Sequence, residues 1–222
     1  MKVQLINYSK NPEKMVAQAA RLCYSSKNIQ EIAESIDKDK QDKMIEKIIK
    51  LGHYSVLEHV SFTFGIENIS RTCSHQLVRH RIASFSQRSQ RYVKVAKDQH
   101  YIIPNNIKNN LGLLEKFKEL VNKSYNLYQE MLEKDIPAED ARYILPQAVD
   151  TSIIFTANAR ELIHFFKLRC CNRAQWEIRE LAIAMLRLVK KEAPIIFKDA
   201  GPPCLIGPCP EGEMSCGHPW KK

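Results

Sequence analysis

The sequence predicts a single mixed domain of the α/β (α+β) class, and three observations predict it. At 222 residues the chain has the length of one domain with a real hydrophobic core. In "HVSFTFGI", residues 59–66, Val60, Phe62, Phe64 and Ile66 alternate with Ser61, Thr63 and Gly65, the period of a half-buried strand. Between 111 and 134, Leu114, Phe117, Leu120, Val121, Leu127, Tyr128, Met131 and Leu132 recur at helical spacing, so a long amphipathic helix serves as core and scaffold.

The other elements follow in chain order. "KVQLINY", residues 2–8, reads as a short strand, and Asn11 before Pro12 as an N-cap with proline at the first helical position. The helix that follows places Met15, Val16, Ala19 and Leu22 on one face. A second helix spans about 38–51, where Met44, Ile45, Ile48 and Ile49 recur, and Gly52 stops it. Ser70 caps a helix through "RTCSHQLVRHR", and the Ser- and Gln-rich segment after it reads as loop. Asp135 and Pro137 open a short helix that holds Arg142 and ends near Pro146, and "TSIIFTA", 151–157, is another strand. Helices over 159–169 and about 175–192 complete the domain at residue 199, and the tail 200–222 concentrates Pro, Gly and Cys without periodicity.

Composition narrows the function classes. A hydrophobic fraction of 44% with 27% charge is globular, no apolar run approaches the roughly 18 residues of a membrane span, and the start lacks the apolar core of a secretory signal. A cytoplasmic protein with reduced thiols is expected, its odd count of seven cysteines not forming a disulfide framework. A net charge of +9 points to anionic partners, either nucleic acid or phosphorylated small molecules. The charge is concentrated: residues 68–97 hold seven Lys or Arg and no Asp or Glu. A nucleic-acid module would interleave such charge with exposed aromatics, and the window offers only Phe85 and Tyr92. Neither G-x-G-x-x-G nor G-x-x-x-x-G-K-[ST] occurs, so any nucleotide is held by another device.

"RHRIASFSQRSQRY", residues 79–92, carries four arginines, a histidine and three serines. Guanidinium forks and hydroxyls suit phosphate, although a solvated basic surface has the same composition. Its order is more specific. Arg79, His80, Arg81, Ser84, Ser89 and Arg91 fit R-H-R-x(2)-S-x(4)-S-x-R at every fixed position, which resembles the signature of the flavin-dependent thymidylate synthases. Upstream, "GHYSVLEHVSFTF" is similar to that family's segment leading into a strand, and "NARELIHFFKLR" and "AQWEIRE" to its C-terminal helices.

The resemblance implies synthesis of dTMP from dUMP, with 5,10-methylenetetrahydrofolate as carbon donor, FAD as redox cofactor and NADPH as reductant. It implies a central sheet flanked by helices, a homotetramer with active sites at subunit interfaces, and neither nucleic acid nor membrane as partner. Carried over by position, Gln76, Leu77, Val78, Arg79, Gln87, Arg88, Ser89, Gln90, Arg91, Arg142 and Arg169 fall where the family contacts dUMP. Ser55, Arg79, His80, Arg81, Gln87, Asn158, Ala159, Arg160 and His164 fall where it contacts FAD. The chain departs from the common pattern at Ser86, Gln87 and His164, where many members have Asn, Glu and Asn.

Arg169 stands at the family's activating arginine, which makes it the expected catalytic residue. A guanidinium near N3 of uracil favours the electron-rich ring that must accept the carbon at C5. The alternative role is to complement a helix C-terminus. On a helix Arg160 and His164 share a face, while Arg169 lies about 180° from Arg160, so one helix serves two faces or ends before Arg169. His53 and Glu58 suit acid–base work or the folate or flavin edge, with a cap-and-turn role equally open for Glu58. Cys170, Cys171 and Cys73 read as packing rather than nucleophiles. Cys204, Cys209, Cys216 and His218 lack the paired spacing of structural zinc sites, so no metal is expected.

Overall fold

The structure, a computed structural model, describes residues 1–96 and 100–220; Lys97 of the acid-free window and the last two residues of the tail lie outside them. The expected α+β class is observed. Strands β1 (Lys2–Tyr8), β2 (Ser61–Ser70), β3 (Ala83–Gln87) and β4 (Asp150–Asn158) form one sheet in the order β1-β2-β4-β3. Its register is antiparallel throughout. Lys2 pairs with Glu67 while Ser9 bonds Ser61. Thr63 meets Thr156 at 3.0 Å while Arg71 N donates to Val149 O, and Phe85 stacks on Phe155 while Arg88 N donates to Ser152 O.

The chain forms two compact units, Met1–Lys2, Ile66–Arg79 and Ser86–Ile153 in the first, Val3–Gly65, His80–Phe85 and Ile154–Lys222 in the second. The first holds helices α4 (Arg71–Leu77), α5 (Asn105–Lys108), α6 (Leu111–Glu133) and α7 (Ala138–Ala141). The second holds α1 (Pro12–Leu22), α2 (Ile29–Ser35), α3 (Lys38–Lys50), α8 (Ala159–Arg169) and α9 (Trp176–Glu192).

The core of the first unit gathers Val121, Tyr125 and Tyr128 of α6 with Val95, Ala141 and Val149. Of the positions expected on the apolar face of α6, Leu120 and Leu127 are exposed instead, and Tyr125, which the pattern passed over, is buried. The core of the second unit is aromatic: Phe62 and Phe166 each meet Phe197 edge-on, and Phe155 joins Phe64, Phe85 and Phe165.

Local differences from the sequence expectations have identifiable causes. Asn11 occupies the N-cap of α1 in the left-handed region, φ 49°, and its side chain makes no cap bond, so Pro12 alone shapes that start. The buried face of α1 is Val16, Ala17 and Ala20, while Met15 and Leu22 are exposed. Gly52, at φ 73°, ends α3 as expected, with its N–H bonded to Ile49 O and that of His53 to Ile48 O. The helix after Ser70 stops at Leu77 rather than continuing through the motif, and 83–87 is strand β3 rather than loop. Ala83, Phe85 and Gln87 are the less exposed set there, a period-2 pattern that small and polar residues obscure. The short helices α2 and α5, and a 3-10 turn at Tyr54–His59, had no periodic signal long enough to read.

Candidate active site

The first unit presents an open pocket of about 260 Å3 lined by Arg71, His75, Gln90, Arg142, Tyr143, Leu145, Pro146, Gln147 and Val149. Helix α4 builds one side. Ser70 Oγ accepts from Cys73 N at 3.0 Å, fixing the helix start so that Arg71 and His75, four residues apart, share a face. Arg142 follows α7 and is steadied by its Nε–H donating to Glu139 O at 3.0 Å. Burial, and the Arg142 guanidinium beside it, hold the Arg71 pKa below its ordinary value. No acidic side chain lines this pocket among the described residues, so two adjacent guanidiniums face a space suited to an anion.

The structure distributes the remaining motif residues unequally. Gln87 is held by the protein, its Nε2 donating to Ser74 Oγ at 2.9 Å and to Thr151 Oγ1 at 3.3 Å. Ser89 opens a turn, its Oγ accepting from Arg91 N and Tyr92 N. Gln90 joins the pocket, whereas Arg91 pairs with Glu139 through Nε at 2.5 Å and lies over the Tyr92 ring. Leu77 is fully buried, Gln76 partly so, and Val78, Arg79 and Arg88 are exposed. Sequence reasoning missed Arg71 and His75. The signal was available, because the acid-free window begins before the R-H-R motif and the two residues sit at helical spacing.

In the second unit α8 organises the candidates. Asn158 Oδ1 caps it by accepting from Glu161 N at 2.9 Å, so this oxygen is already engaged. Ala159 is buried, while Arg160 is exposed and pairs with Glu58 Oε1, which gives Glu58 an ion-pair role on the 3-10 turn. Ser55 is exposed on that same turn, beside an apolar groove of about 410 Å3 lined by Met15, Ala19, Leu22, Ile29 and Val56. His53 Nδ1 lies 3.5 Å from Tyr24 Oη.

The helix runs on to Arg169, so it does serve two faces, and it brings Glu161, His164 and Arg169 around His80. His80 is only 5% exposed. Its Nδ1 lies 3.1 Å from Glu161 Oε1, and its Nε2 accepts from Arg169 Nε–H at 3.0 Å. Burial pushes the His80 pKa down, the Arg169 charge reinforces this, and the Glu161 hydrogen bond opposes it. Arg81 is exposed. None of the seven cysteines forms a disulfide, and Cys170 is fully buried with its thiol pushed up to about 12 by desolvation, which suits packing. In the tail, Cys216 Sγ accepts from His218 N and Cys204 Sγ from Trp220 N.

The profile of a family described as "Thymidylate synthase complementing protein" matches residues 4–195. The chain is 55% identical over 218 residues to a flavin-dependent thymidylate synthase of Geobacter sulfurreducens, covering 98% of this chain and 94% of that protein. It is 49% identical over 233 residues to one of Clostridium tetani, covering 98% and 93%, and 44% identical over 230 residues to one of Thermococcus onnurineus, covering 100% and 94%. A profile matched along most of the chain, and relatives about half identical to it from end to end, establish that the chain belongs to the flavin-dependent thymidylate synthase family.

Proposed function

We infer that the chain catalyses the reductive methylation of dUMP to dTMP, a methyltransferase-class reaction in which 5,10-methylenetetrahydrofolate donates the carbon, FAD is the redox cofactor and NADPH the reductant. The observation that carries the reading is the R-H-R motif inside a family match covering residues 4–195.

The pocket with Arg71 and Arg142 takes the phosphate of dUMP, because two guanidiniums in a pocket with no acidic side chain among its described lining residues match a dianion. Gln76 to Arg79 and Gln87 to Arg91 surround the nucleotide, with Gln87 positioned by Ser74 and Thr151. Arg169 is the catalytic residue. Its guanidinium stabilises negative charge on the uracil ring and so enriches C5, where the new bond forms.

The residues of the second unit fit FAD in their chemistry. Exposed Arg81 and Arg160 suit a pyrophosphate, Ser55 and His164 add polar contacts, and the apolar groove beside Ser55 suits a planar ring. Asn158, Ala159 and His80 complete the second unit's share of the proposed set, and Arg79 and Gln87, of the first unit, are carried into it from the family resemblance alone. When bound, FAD supplies the hydride chemistry that links NADPH to the product methyl group; the chain's part is to bind, orient and polarise.

The active unit is proposed to be a homotetramer, with each chain contributing residues to sites at subunit interfaces. Residues 1–199 are proposed as the synthase domain, with 200–222 as its Cys-, Pro- and Gly-rich C-terminal tail. Among the described residues no helix is long and apolar enough to cross a membrane, and a cytoplasmic location with dUMP, folate and NADPH as partners fits a nucleotide-synthesising enzyme. Purification should give a yellow oligomer that converts dUMP to dTMP when folate donor and NADPH are supplied. A colourless protein that never takes up FAD would overturn the reading.

A further inference from the structure

Three buried polar groups form a chain inside the second unit. Glu161 Oε1 is 3.1 Å from His80 Nδ1, and Arg169 Nε is 3.0 Å from His80 Nε2. The side chains of His80 and Glu161 are 4% and 8% exposed. Burying an imidazole and a carboxylate this fully costs stability unless both are hydrogen-bonded, so the arrangement needs a reason. Packing does not supply one, because Phe165 already fills the space against the His80 ring at 4.9 Å between centroids.

The hydrogen-bond roles fix the tautomer. Arg169 Nε can only donate, so His80 Nε2 must present a lone pair and the ring proton must sit on Nδ1, where a carboxylate oxygen accepts it. We propose that Glu161 is a positioning residue for the reaction: it holds the His80 proton on Nδ1 and thereby gives Arg169 the acceptor that orients its guanidinium. The proposal rests on the catalytic reading of Arg169 given above. It adds a residue that the sequence reading did not single out, on the same helix as Arg169 and two turns before it.

Glu161, His80 and His164 also lie together as three possible metal ligands. The donation from Arg169 to Nε2 argues for the relay instead, since it places the ring proton on Nδ1, the nitrogen beside Glu161 where a shared metal would need a lone pair, and a guanidinium lies against the same ring. Among the described residues the charged and titratable groups facing His80 are Glu161, His164 and Arg169, all from α8. Protonation of His80 at Nε2 replaces the acceptor with a donor and turns the Arg169 contact from attractive to repulsive. The relay therefore works only while His80 is neutral, and its lowered pKa keeps it so at neutral pH. Removing the Glu161 charge takes away an influence that raises the His80 pKa, so the acidic limb of the rate profile should then move to lower pH.

The test compares Glu161→Leu, which deletes the acceptor, with Glu161→Gln, which keeps an acceptor oxygen without the charge, both as FAD-loaded enzyme. Nitrogen-15 NMR of labelled histidine reads the His80 tautomer directly. In Glu161→Leu the proton should move to Nε2 and kcat should fall about tenfold to a hundredfold, the range typical of lost orienting partners, with FAD still bound and KM for dUMP little changed. Glu161→Gln should restore part of kcat and shift the acidic limb downward. An Nδ1–H signal in Glu161→Leu with kcat within about twofold of the parent, or an acidic limb unmoved in Glu161→Gln, overturns the proposal; if Glu161→Leu does not fold, the limb in Glu161→Gln decides. Arg169→Ala run in parallel separates the two claims: normal turnover there sinks the catalytic role of Arg169, while the tautomer measurement still judges the link from Glu161 to His80.

Discussion

The two arginine-bearing regions use the same side chain in opposite ways. In the first unit Arg71 and Arg142 line the same open space, and burial together with the Arg142 charge lowers the Arg71 pKa. In the second, Arg169 donates to a buried imidazole that is itself held by a carboxylate. In the function proposed above, the first arrangement offers repulsion that an anion would relieve, which suits binding. The second fixes a direction before any ligand arrives, which suits orientation.

That difference is breakable by substitution. The largest effect belongs to the orienting region: Arg169→Ala should keep its fold and flavin, read by circular dichroism and visible absorbance, yet lose dTMP formation by about a hundredfold to a thousandfold in kcat. Near-normal turnover at saturating dUMP would leave only a helix-end role. In the binding region Arg71→Ala and Arg142→Ala should each weaken dUMP by about 1.5–3 kcal/mol, roughly 10- to 150-fold in Kd, with kcat at saturation much less affected. Calorimetric affinities equal to the parent's would reduce the pocket to a basic surface.

Smaller effects sharpen the boundary between chemistry and packing. The double change Cys170→Ala with Cys171→Ala should leave turnover largely intact and lower the melting temperature, because the buried Cys170 thiol, pushed up to about 12, is not available as a thiolate. Lost activity with fold and flavin retained would show a cysteine in the chemistry. The smallest change concerns Tyr125, whose buried hydroxyl has no hydrogen-bond partner among the described residues. Tyr125→Phe should be neutral or stabilising, within about 1 kcal/mol by thermal unfolding, since it removes an unsatisfied polar group. A clear loss of stability would mean the hydroxyl is satisfied after all.

What could be read in advance follows from how far each signal reaches along the chain. Strands β1, β2 and β4 and helices α3, α6, α8 and α9 were legible because alternation or a 3.6-residue period persisted long enough to be distinctive. Strand β3 was not, because Ser84, Ser86 and Gln87 carry its pattern faintly and its pairing with β4 is a long-range fact. The Ser70 cap was readable from one residue, whereas Asn11 only looked like a cap: its left-handed backbone turns the side chain away from the role. Likewise the motif announced Arg79 to Arg91 by spacing. Arg71 emerged only when α4 set it beside Arg142, and Glu161 only when the fold brought α8 against His80, 81 positions earlier.

One helix carries both ends of the chain through His80, and that makes α8 a ruler. Glu161 and Arg169 are eight residues apart, about 12 Å along the axis and about 80° around it. Deleting a single residue between them would swing Arg169 by about 100° and withdraw it by about 1.5 Å, enough to part it from the imidazole whatever side chain replaced its neighbours. The stretch from 161 to 169 is thus fixed in length, and its buried Leu162, Phe165 and Phe166 fix much of its composition as well. Of its exposed members His164, Lys167 and Leu168, the last two can drift, whereas an insertion or deletion between Glu161 and Arg169 changes the spacing that both contacts to His80 need.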